Sequence, residues 1–449
     1  MKHLSSIHRF TINHKQLVFD VESNALHEFD PAAWQALDML EAGHGREAIV
    51  RALTPSHGAA AVSGALDEIE SLQRVGLLWS SSGSFDAGAA PRVKALCLFL
   101  SEDCNLGCRY CFVARGGRAA RNGHMSAAVG RAAMELLIRL SGERCHCEVD
   151  YFGGEPLLNR AVMQEITAFA RQEFSAAGKE IAFTVTTNGL LLTPEVAEYM
   201  AQESFAAVLS LDGRPAVHDR MRPLLRGGGS YRVVLPHLLE YTGRRPKGGY
   251  YIRGTFTRFN TDFSRDVEHL YRLGFRYISM EPVIDAPDQD YALSEADLPE
   301  LEREYEKLAA FYLECAAAGD PFSFFHFAID LEKGPCLPKR LSGCGAGREY
   351  LAVTADGSIY PCHQLAGRPE LRMGHVHEPE NFNPALPESF IPAGPLQGQC
   401  RHCWARYYCG GGCRAASYLN SKPGEPYPLE CALQRKRLEC ALYLHAAQF

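Results

Sequence analysis

The chain has 449 residues, a formal net charge of −7, and 46% hydrophobic and 22% charged residues. This composition is that of a globular protein with ample material for a core, and the length suggests about three domains. The negative charge argues against nonspecific binding to nucleic acid. We see no apolar run typical of a signal peptide and no stretch near the ~18 apolar residues of a membrane span. We therefore expect a cytoplasmic protein without a membrane or nucleic-acid partner.

Residues 1–80 predict a small separate domain. Short β-like runs between residues 10 and 29 predict three strands, and Asp30 followed by Pro31 is a helix start signal. The last of three helices would carry one apolar stripe, formed by Val62, Leu66, Ile69 and Val75. This pattern is winged-helix-like, although an ordinary small αβ domain would look the same. Residues 81–91 form a linker by composition.

Strand-like runs that alternate with amphipathic helical stretches fill residues 92–310. Repeated βα units predict a parallel sheet with its functional site at the carboxyl ends of the strands. A charged helix is predicted at residues 295–320. Residues 311–449 are rich in Gly, Pro and Cys and show little periodicity. Because such a region could not fold on apolar burial alone, we expect metal binding to supply the missing stability.

Sixteen cysteines need an explanation in a chain without a recognisable export signal. A disulfide framework is usual for small secreted domains, so metal ligation explains these cysteines better. Zinc and iron–sulfur clusters both take Cys thiolates, and both stay open at this point.

One group of cysteines has the spacing Cys104-x3-Cys108-x2-Cys111 and follows the first predicted strand of residues 92–310. Three thiolates hold three irons of a cubane and leave the fourth iron open to a reactant, which indicates a catalytic cluster. An incomplete zinc site is the alternative, but no fourth ligand lies nearby in sequence. The motif resembles the radical S-adenosylmethionine (SAM) superfamily. That resemblance implies a partial (β/α)6 TIM-like barrel, and an open iron that binds SAM for reductive cleavage to methionine and a 5′-deoxyadenosyl radical.

A second motif of the same superfamily follows the next predicted strand. The resemblance implies that it binds the amino group of SAM; its residues are Gly153, Gly154, Glu155 and Pro156. Two glycines let the backbone approach a ligand closely, and a carboxylate accepts from an ammonium group. Further positions near strand ends are implied to bind SAM or substrate, with strand termination as the alternative for some of them: Asn188, Ser210, Asp212 and Arg222. Asp212 and Glu281 are candidate general bases.

The cysteines of residues 311–449 resemble the SPASM domain, which carries two auxiliary [4Fe–4S] clusters with interleaved ligands. For the first auxiliary cluster the resemblance implies Cys344, Cys362 and Cys413. For the second it implies Cys400, Cys403, Cys409 and Cys431. Cys336 is a candidate fourth ligand of the first cluster. If Cys336 does not bind, that cluster has an open iron that a substrate thiolate could occupy. Three [4Fe–4S] clusters are therefore expected in all.

The three predicted domains together resemble enzymes that modify ribosomally made peptides. Several stretches resemble the thioether-forming SCIFF, or ranthipeptide, maturases; they lie at 150–157, 210–223, 253–257 and 339–345. The resemblance implies that residues 1–80 recognise the leader of a cysteine-rich precursor peptide. The leader would add a strand to the small sheet, in a groove formed by residues 25–29 and 62–75. The implied reductant is a flavodoxin or a ferredoxin.

The implied reaction joins a peptide cysteine sulfur to a carbon atom through the 5′-deoxyadenosyl radical, and the surplus electron leaves through the auxiliary clusters. One alternative is an enzyme that, like the sulfatase maturases, oxidises a Cys or Ser to formylglycine. A non-catalytic iron–sulfur electron carrier is an alternative from another class, and a zinc scaffold is a third. The three-cysteine motif argues against an electron carrier, because such proteins normally ligate all four irons of a cluster.

Overall fold

The computed structural model describes residues 6–81, 92–115, 123–245, 248–333, 343–389 and 398–447. Its strands are β1 (Ile7–Ile12), β2 (Lys15–Asp20), β3 (Leu26–Phe29), β4 (Ala95–Ser101), β5 (His146–Gly153), β6 (Glu180–Thr187), β7 (Ala206–Ser210), β8 (Tyr250–Phe256), β9 (Tyr277–Pro282), β10 (Ser323–Phe324), β11 (Tyr350–Val353), β12 (Ser358–Tyr360) and β13 (Gly374–His375). Its α-helices are α1 (Pro31–Glu41), α2 (Arg46–His57), α3 (Ala59–Arg74), α4 (Phe112–Arg115), α5 (Ala127–Ser141), α6 (Arg160–Ala176), α7 (Pro194–Gln202), α8 (Pro215–Met221), α9 (Tyr231–Gly243), α10 (Ser264–Arg272), α11 (Leu298–Ala317), α12 (Arg406–Cys409), α13 (Arg414–Asn420) and α14 (Pro428–Ala447).

The N-terminal residues form the predicted three strands and three helices. Strands β1, β2 and β3 pair in antiparallel order, and α1 begins where the sequence predicted, with the Asp30 side chain accepting from the Ala33 amide at 2.7 Å. The predicted apolar stripe of the last helix is shorter than expected. Helix α3 ends at Arg74, and Val75 caps it with 62% of its surface exposed, so the buried stripe ends at Ile69.

The N-terminal sheet is buried on both faces, which the prediction of a separate domain did not anticipate. Val18 packs with α1 to α3, whereas Leu17 and Phe19 belong to the core of the rest of the molecule. Three consecutive apolar residues in one strand are the pattern of a strand covered on both sides. The N-terminal residues are therefore a layer of the main body, and we call β1–β3 with α1–α3 the N-terminal layer.

Six parallel strands, β4 to β9, lie side by side in chain order and carry helices between them. This confirms the α/β class and the large parallel sheet. Strand β10 adds in parallel beside β9, and β11 adds in parallel beside β4. Because parallel strands end at the same edge, the loops after β4, β5, β6 and β7 meet on one side of the sheet.

The C-terminal region has more regular structure than its low periodicity predicted. Strands β11 to β13 extend the main sheet, and the 20-residue helix α14 packs against α11 and buries Leu433, Leu438 and Leu442. Helix α14 also buries Arg437, so polar residues interrupt its apolar pattern and hide the period in the sequence. The predicted charged helix is present as α11. Within the described ranges, no helix has the length and apolarity needed to cross a membrane.

Candidate active site

The three motif cysteines lie in the loop after β4, as the sequence predicted. The Cys104 sulfur accepts from the Leu106 amide at 3.4 Å and from the Asn188 side-chain amide at 3.5 Å. Burial, with a smaller contribution from neighbouring thiols, raises the pKa of Cys104 to about 12 and that of Cys108 to about 11. Because the ionised thiolates would repel one another, a bound cation is needed to hold them together.

The two motif glycines are fixed by the cysteine loop itself. Gly153 has φ of +127°, and a Cβ atom there would lie 2.1 Å from the Ser101 carbonyl oxygen. At Gly154 a Cβ atom would lie 2.3 Å from the Asp103 carbonyl oxygen. The Gly154 amide donates to Ser101 at 2.7 Å. Both glycines also line the cavity described below, so they let the cysteine loop pack against the end of β5 while keeping the wall open.

Glu155 is not among the described residues that line the cavity. It is fully buried, and it accepts from the Thr187 hydroxyl at 2.8 Å, from the Asn188 amide at 2.9 Å and from the Leu157 amide. Burial raises the pKa of Glu155 to about 7, although these bonds lower it. Glu155 therefore ties the end of β5 to the end of β6, and the predicted contact of this motif with the SAM amino group stays a prediction. Pro156, also buried, begins the short 3-10 helix that follows.

Other positions proposed for SAM or substrate divide into two groups. Asn188, Ser210 and Arg222 line the cavity. Asp212 is fully buried and is not among the described residues that line it. Its carboxylate accepts from Tyr110 at 2.5 Å, from Arg222 at 3.0 Å and from the Thr255 amide at 3.0 Å. Asp212 thus connects Tyr110, Arg222 and the Thr255 amide, and its role as a general base stays a prediction.

A polar cluster that the sequence reasoning largely missed faces the cavity from the other side. The His326 ring nitrogen Nε2 lies 3.0 Å from both Glu281 oxygens and 3.0 Å from Arg437. Burial opposes ionisation of Glu281, yet His326, Arg253 and Arg437 hold the pKa of that carboxyl below its usual range. Of these residues only Glu281 was a sequence candidate, because it ends a predicted strand.

Arg253, the first residue of the stretch 253–257, is a further cavity residue for which the sequence analysis gave no role. It alternates along β8 with the buried Ile252 and Gly254, so its side chain lies on the cavity face. Among the described residues, no side-chain hydrogen bond or ion pair of Arg253 is found. The alternation of side chains between the two faces of a strand is the sequence signal that would have placed Arg253 on the cavity face.

The C-terminal cysteines form two sets in space. After burial, the thiols of Cys413 and Cys344 are the main groups that raise the pKa of Cys362. Likewise, burial and the thiols of a second set raise the pKa of Cys431 to about 12; that set comprises Cys409, Cys400 and Cys403. The two groupings contain the same cysteines as the ligand sets implied by the SPASM resemblance, and cluster ligation by these cysteines stays a prediction. Cys336 and most of the stretch 339–345 lie outside the described residues.

Cysteines of the three groups share one cavity of about 920 Å³. Those that line it are Cys104, Cys108, Cys111, Cys344, Cys362, Cys409 and Cys413. Within the described residues, no three His, Cys, Asp or Glu side chains are arranged to hold a single metal ion, which does not match a preformed zinc site. Thiol donors around an open cavity fit iron–sulfur clusters in donor type and number.

Comparison with known proteins identifies the core. Residues 98–238 match the family model of the radical SAM superfamily. The chain carries a radical SAM domain. This family implies SAM and one [4Fe–4S] cluster, for which the thiols of Cys104, Cys108 and Cys111 are suitable ligands. The cysteine-type anaerobic sulfatase-maturating enzyme of Clostridium novyi is 24% identical over 352 residues, which cover 73% of this chain and 88% of that protein.

Two solved structures share the fold beyond the radical SAM domain. Native anSMEcpe with bound AdoMet has a TM-score of 0.63 at 20% identity and covers 79% of this chain and 98% of its own. Streptococcus suis SuiB bound to precursor peptide SuiA has a TM-score of 0.56 at 15% identity and covers 95% of this chain and 98% of its own. The fold shared with SuiB thus extends over more of the present chain.

Proposed function

We propose that this radical SAM enzyme forms thioether links between cysteine sulfur and carbon in a cysteine-rich precursor peptide. The observation that carries the proposal is the shared cavity, because Cys104, Cys108 and Cys111 face the same space as cysteines of both auxiliary sets. A reaction that abstracts hydrogen at one site and removes an electron at another needs both kinds of site to reach one substrate. Three [4Fe–4S] clusters are part of this proposal.

The stoichiometry of one link explains why several groups are needed. Bound SAM and its cluster supply the abstraction of one hydrogen atom from the acceptor carbon. The thiol proton of the cysteine passes to a base, for which His326 and Glu281 are the candidates on the cavity wall. Joining sulfur to the carbon radical leaves one surplus electron. In this proposal, a cluster held by the cavity-lining residues Cys344, Cys362 and Cys413 would accept it.

The N-terminal layer supports a peptide partner. Strand β3 is the outer strand of its sheet, so one edge has no paired strand among the described residues. Beside it, His27 lies 3.0 Å from the Leu77 carbonyl oxygen, and the nearby Val75 and Leu77 are exposed. An open strand edge next to exposed apolar side chains suits an added peptide strand. Residues 25–29 remain our proposed site for the leader, now with Val75 and Leu77 at its margin.

The test is anaerobic co-expression with the short cysteine-rich reading frame next to the gene, followed by thiol alkylation and mass analysis of the peptide. We expect loss of two hydrogens and of one alkylatable cysteine per link. Cys108→Ala should abolish both SAM cleavage and linkage, whereas Cys145→Ala, which changes an exposed cysteine outside all three groups, should abolish neither. An unmodified peptide, despite active SAM cleavage, would refute thioether formation.

Formylglycine formation is a second candidate, favoured by the similarity to the Clostridium novyi sulfatase-maturating enzyme. The same peptide sample distinguishes the two reactions. Formylglycine contains an aldehyde that reacts with a hydrazide probe, whereas a thioether does not. A hydrazide-reactive peptide without a crosslink would therefore favour the second candidate.

A further inference from the structure

A turn of the N-terminal layer contacts the cysteine-bearing segment 403–413 through polar groups. Glu22, between β2 and β3, accepts from the Arg406 guanidinium and from the Tyr407 hydroxyl at 2.9 Å. The side chains of Glu22 and Arg406 are only 6% and 11% exposed. Both charges of this ion pair are removed from water, so its contribution to the stability of the fold depends on its geometry. Such a pair fixes the relative position of its partners more than it adds stability.

A second contact reaches the cavity itself. The Tyr408 hydroxyl lies 3.2 Å from the Asn24 side-chain oxygen and 3.2 Å from the Asp330 carbonyl oxygen. Tyr408 and its neighbour Cys409 both line the cavity. Asn24 has φ of +63°, a left-handed conformation that Asn tolerates well. The backbone there is thus shaped to present an amide oxygen to Tyr408.

Aromatic packing holds the same segment against the sheet. The His8 ring stacks on Trp404 with centroids 3.8 Å apart and planes 4° from parallel. Phe19 meets both Trp404 and Tyr408 edge-on. Segment 403–413 contains Cys403 and Cys409 of the second auxiliary set and Cys413 of the first. The N-terminal layer therefore contacts Trp404, immediately beside Cys403, and Tyr408, immediately beside Cys409.

We propose that Glu22 and Asn24 are positioning residues for the auxiliary cysteines, and that the N-terminal layer is a structural part of the redox site as well as a peptide-docking surface. Glu22 fixes Arg406 and Tyr407, and Asn24 fixes Tyr408 in the cavity wall. This inference does not require the identity of the peptide or of the reaction.

The first test measures hydrogen exchange of residues 403–413 in the full chain. We expect exchange to be about tenfold faster in Glu22→Ala and in Asn24→Gly, since each loses hydrogen bonds to the segment. Asn24→Asp keeps an acceptor oxygen and tolerance of the left-handed backbone, so it should behave like the unchanged protein. Glu28→Ala is the matched control, because Glu28 lies in the same sheet but pairs with Lys15 at the surface. Equal exchange in all four variants would overturn the proposal.

The second test separates positioning from general stability. In a chain with Cys104, Cys108 and Cys111 changed to Ala, only auxiliary clusters contribute to the electron paramagnetic resonance spectrum of the reduced protein. We expect Asn24→Gly and Tyr408→Phe to shift that spectrum and the reduction potential in the same direction. Asn24→Asp should leave both as they are in the protein with unchanged Asn24. An unchanged spectrum and potential in Asn24→Gly would refute the positioning role, whatever the peptide assay gives.

Discussion

His326 and Glu281 form a hydrogen-bonded pair, with His326 buried and Glu281 partly exposed, that lines the cavity. The Nε2 atom lies 3.0 Å from both Glu281 oxygens, and His326 has only 7% of its side chain exposed. Burial lowers the pKa of His326, whereas the neighbouring Glu281 carboxylate raises it. The other ring nitrogen, Nδ1, is buried and has no hydrogen-bond partner among the described residues. This pairing is suited to receive a proton from the substrate.

We expect His326→Gln to uncouple linkage from SAM cleavage. Glutamine retains a donor toward Glu281 but cannot take up the thiol proton, so link formation should fall about a hundredfold while 5′-deoxyadenosine is still produced. The measurement is the ratio of 5′-deoxyadenosine to peptide links under single-turnover conditions. His146→Gln, at a residue with 75% of its side chain exposed, is the control. An unchanged ratio in His326→Gln would show that His326 takes no part in the reaction.

His218 gives the fold a pH dependence of known sign. Its Nδ1 accepts from the Asp212 amide at 3.3 Å, and its Nε2 lies 2.9 Å from the Ser230 hydroxyl. Burial lowers the pKa of His218 to about 4. Between pH ~6.5 and about 4 the unfolded chain therefore binds more protons than the folded chain, so the stability contribution is complete above this window and is lost as pH falls through it.

We expect this contribution to amount to about 3 kcal/mol across the window. Denaturant unfolding of the unchanged protein and of His218→Asn at pH 7 and pH 5 would measure it. The destabilisation caused by His218→Asn should be smaller at pH 5 than at pH 7. The control is His146→Asn, at an exposed residue, which should change the free energy of unfolding by the same small amount at pH 7 and at pH 5. A pH-independent effect of His218→Asn would contradict the proposed cause.

The cysteine spacing and the glycine motif were readable from the sequence because they are local. Each motif lies in a single loop after a single strand. The repeated βα units predicted a parallel sheet and so placed both loops at the same edge. His326 and Arg437 were not readable in this way. They come from a 3-10 helix at Phe325–Phe327 and from α14, and only tertiary packing brings them to Glu281.

The attachment of the N-terminal layer was missed for a different reason. Leu17, Val18 and Phe19 are consecutive apolar residues, a signal that both faces of β2 are covered. The prediction used these residues to identify a strand, but it did not infer which part of the chain covers the second face of β2. The roles assumed for Glu155 and Asp212 came from resemblance. Both carboxylates accept hydrogen bonds from three protein donors, a fact that sequence alone does not contain.

Gly154→Ala should damage the cysteine loop without a change at any cysteine. The added methyl group would lie 2.3 Å from the Asp103 carbonyl oxygen, which is backbone and must shift. We expect less iron bound after reconstitution and at least tenfold slower SAM cleavage. Gly64→Ala in α3 is the control, because its methyl group would meet no atom within 4 Å. Full iron content and normal SAM cleavage in Gly154→Ala would show that the loop does not need this close approach.

Arg253 should bind an anionic group of whichever reactant occupies the cavity. Its guanidinium lines the cavity, and no described side chain hydrogen-bonds to it, whereas Arg437 is held by Glu430 at 3.1 Å. We expect Arg253→Gln to weaken binding of SAM or of peptide about tenfold, and Arg253→Lys to restore part of that loss because it keeps the charge but not the planar fork. Separate titrations of the reconstituted enzyme with SAM and with peptide would show which reactant is affected. Arg258→Gln is the control, since Arg258 bonds Ser294 at the surface. If Arg253→Gln bound both reactants normally, the guanidinium would have no role in recognition.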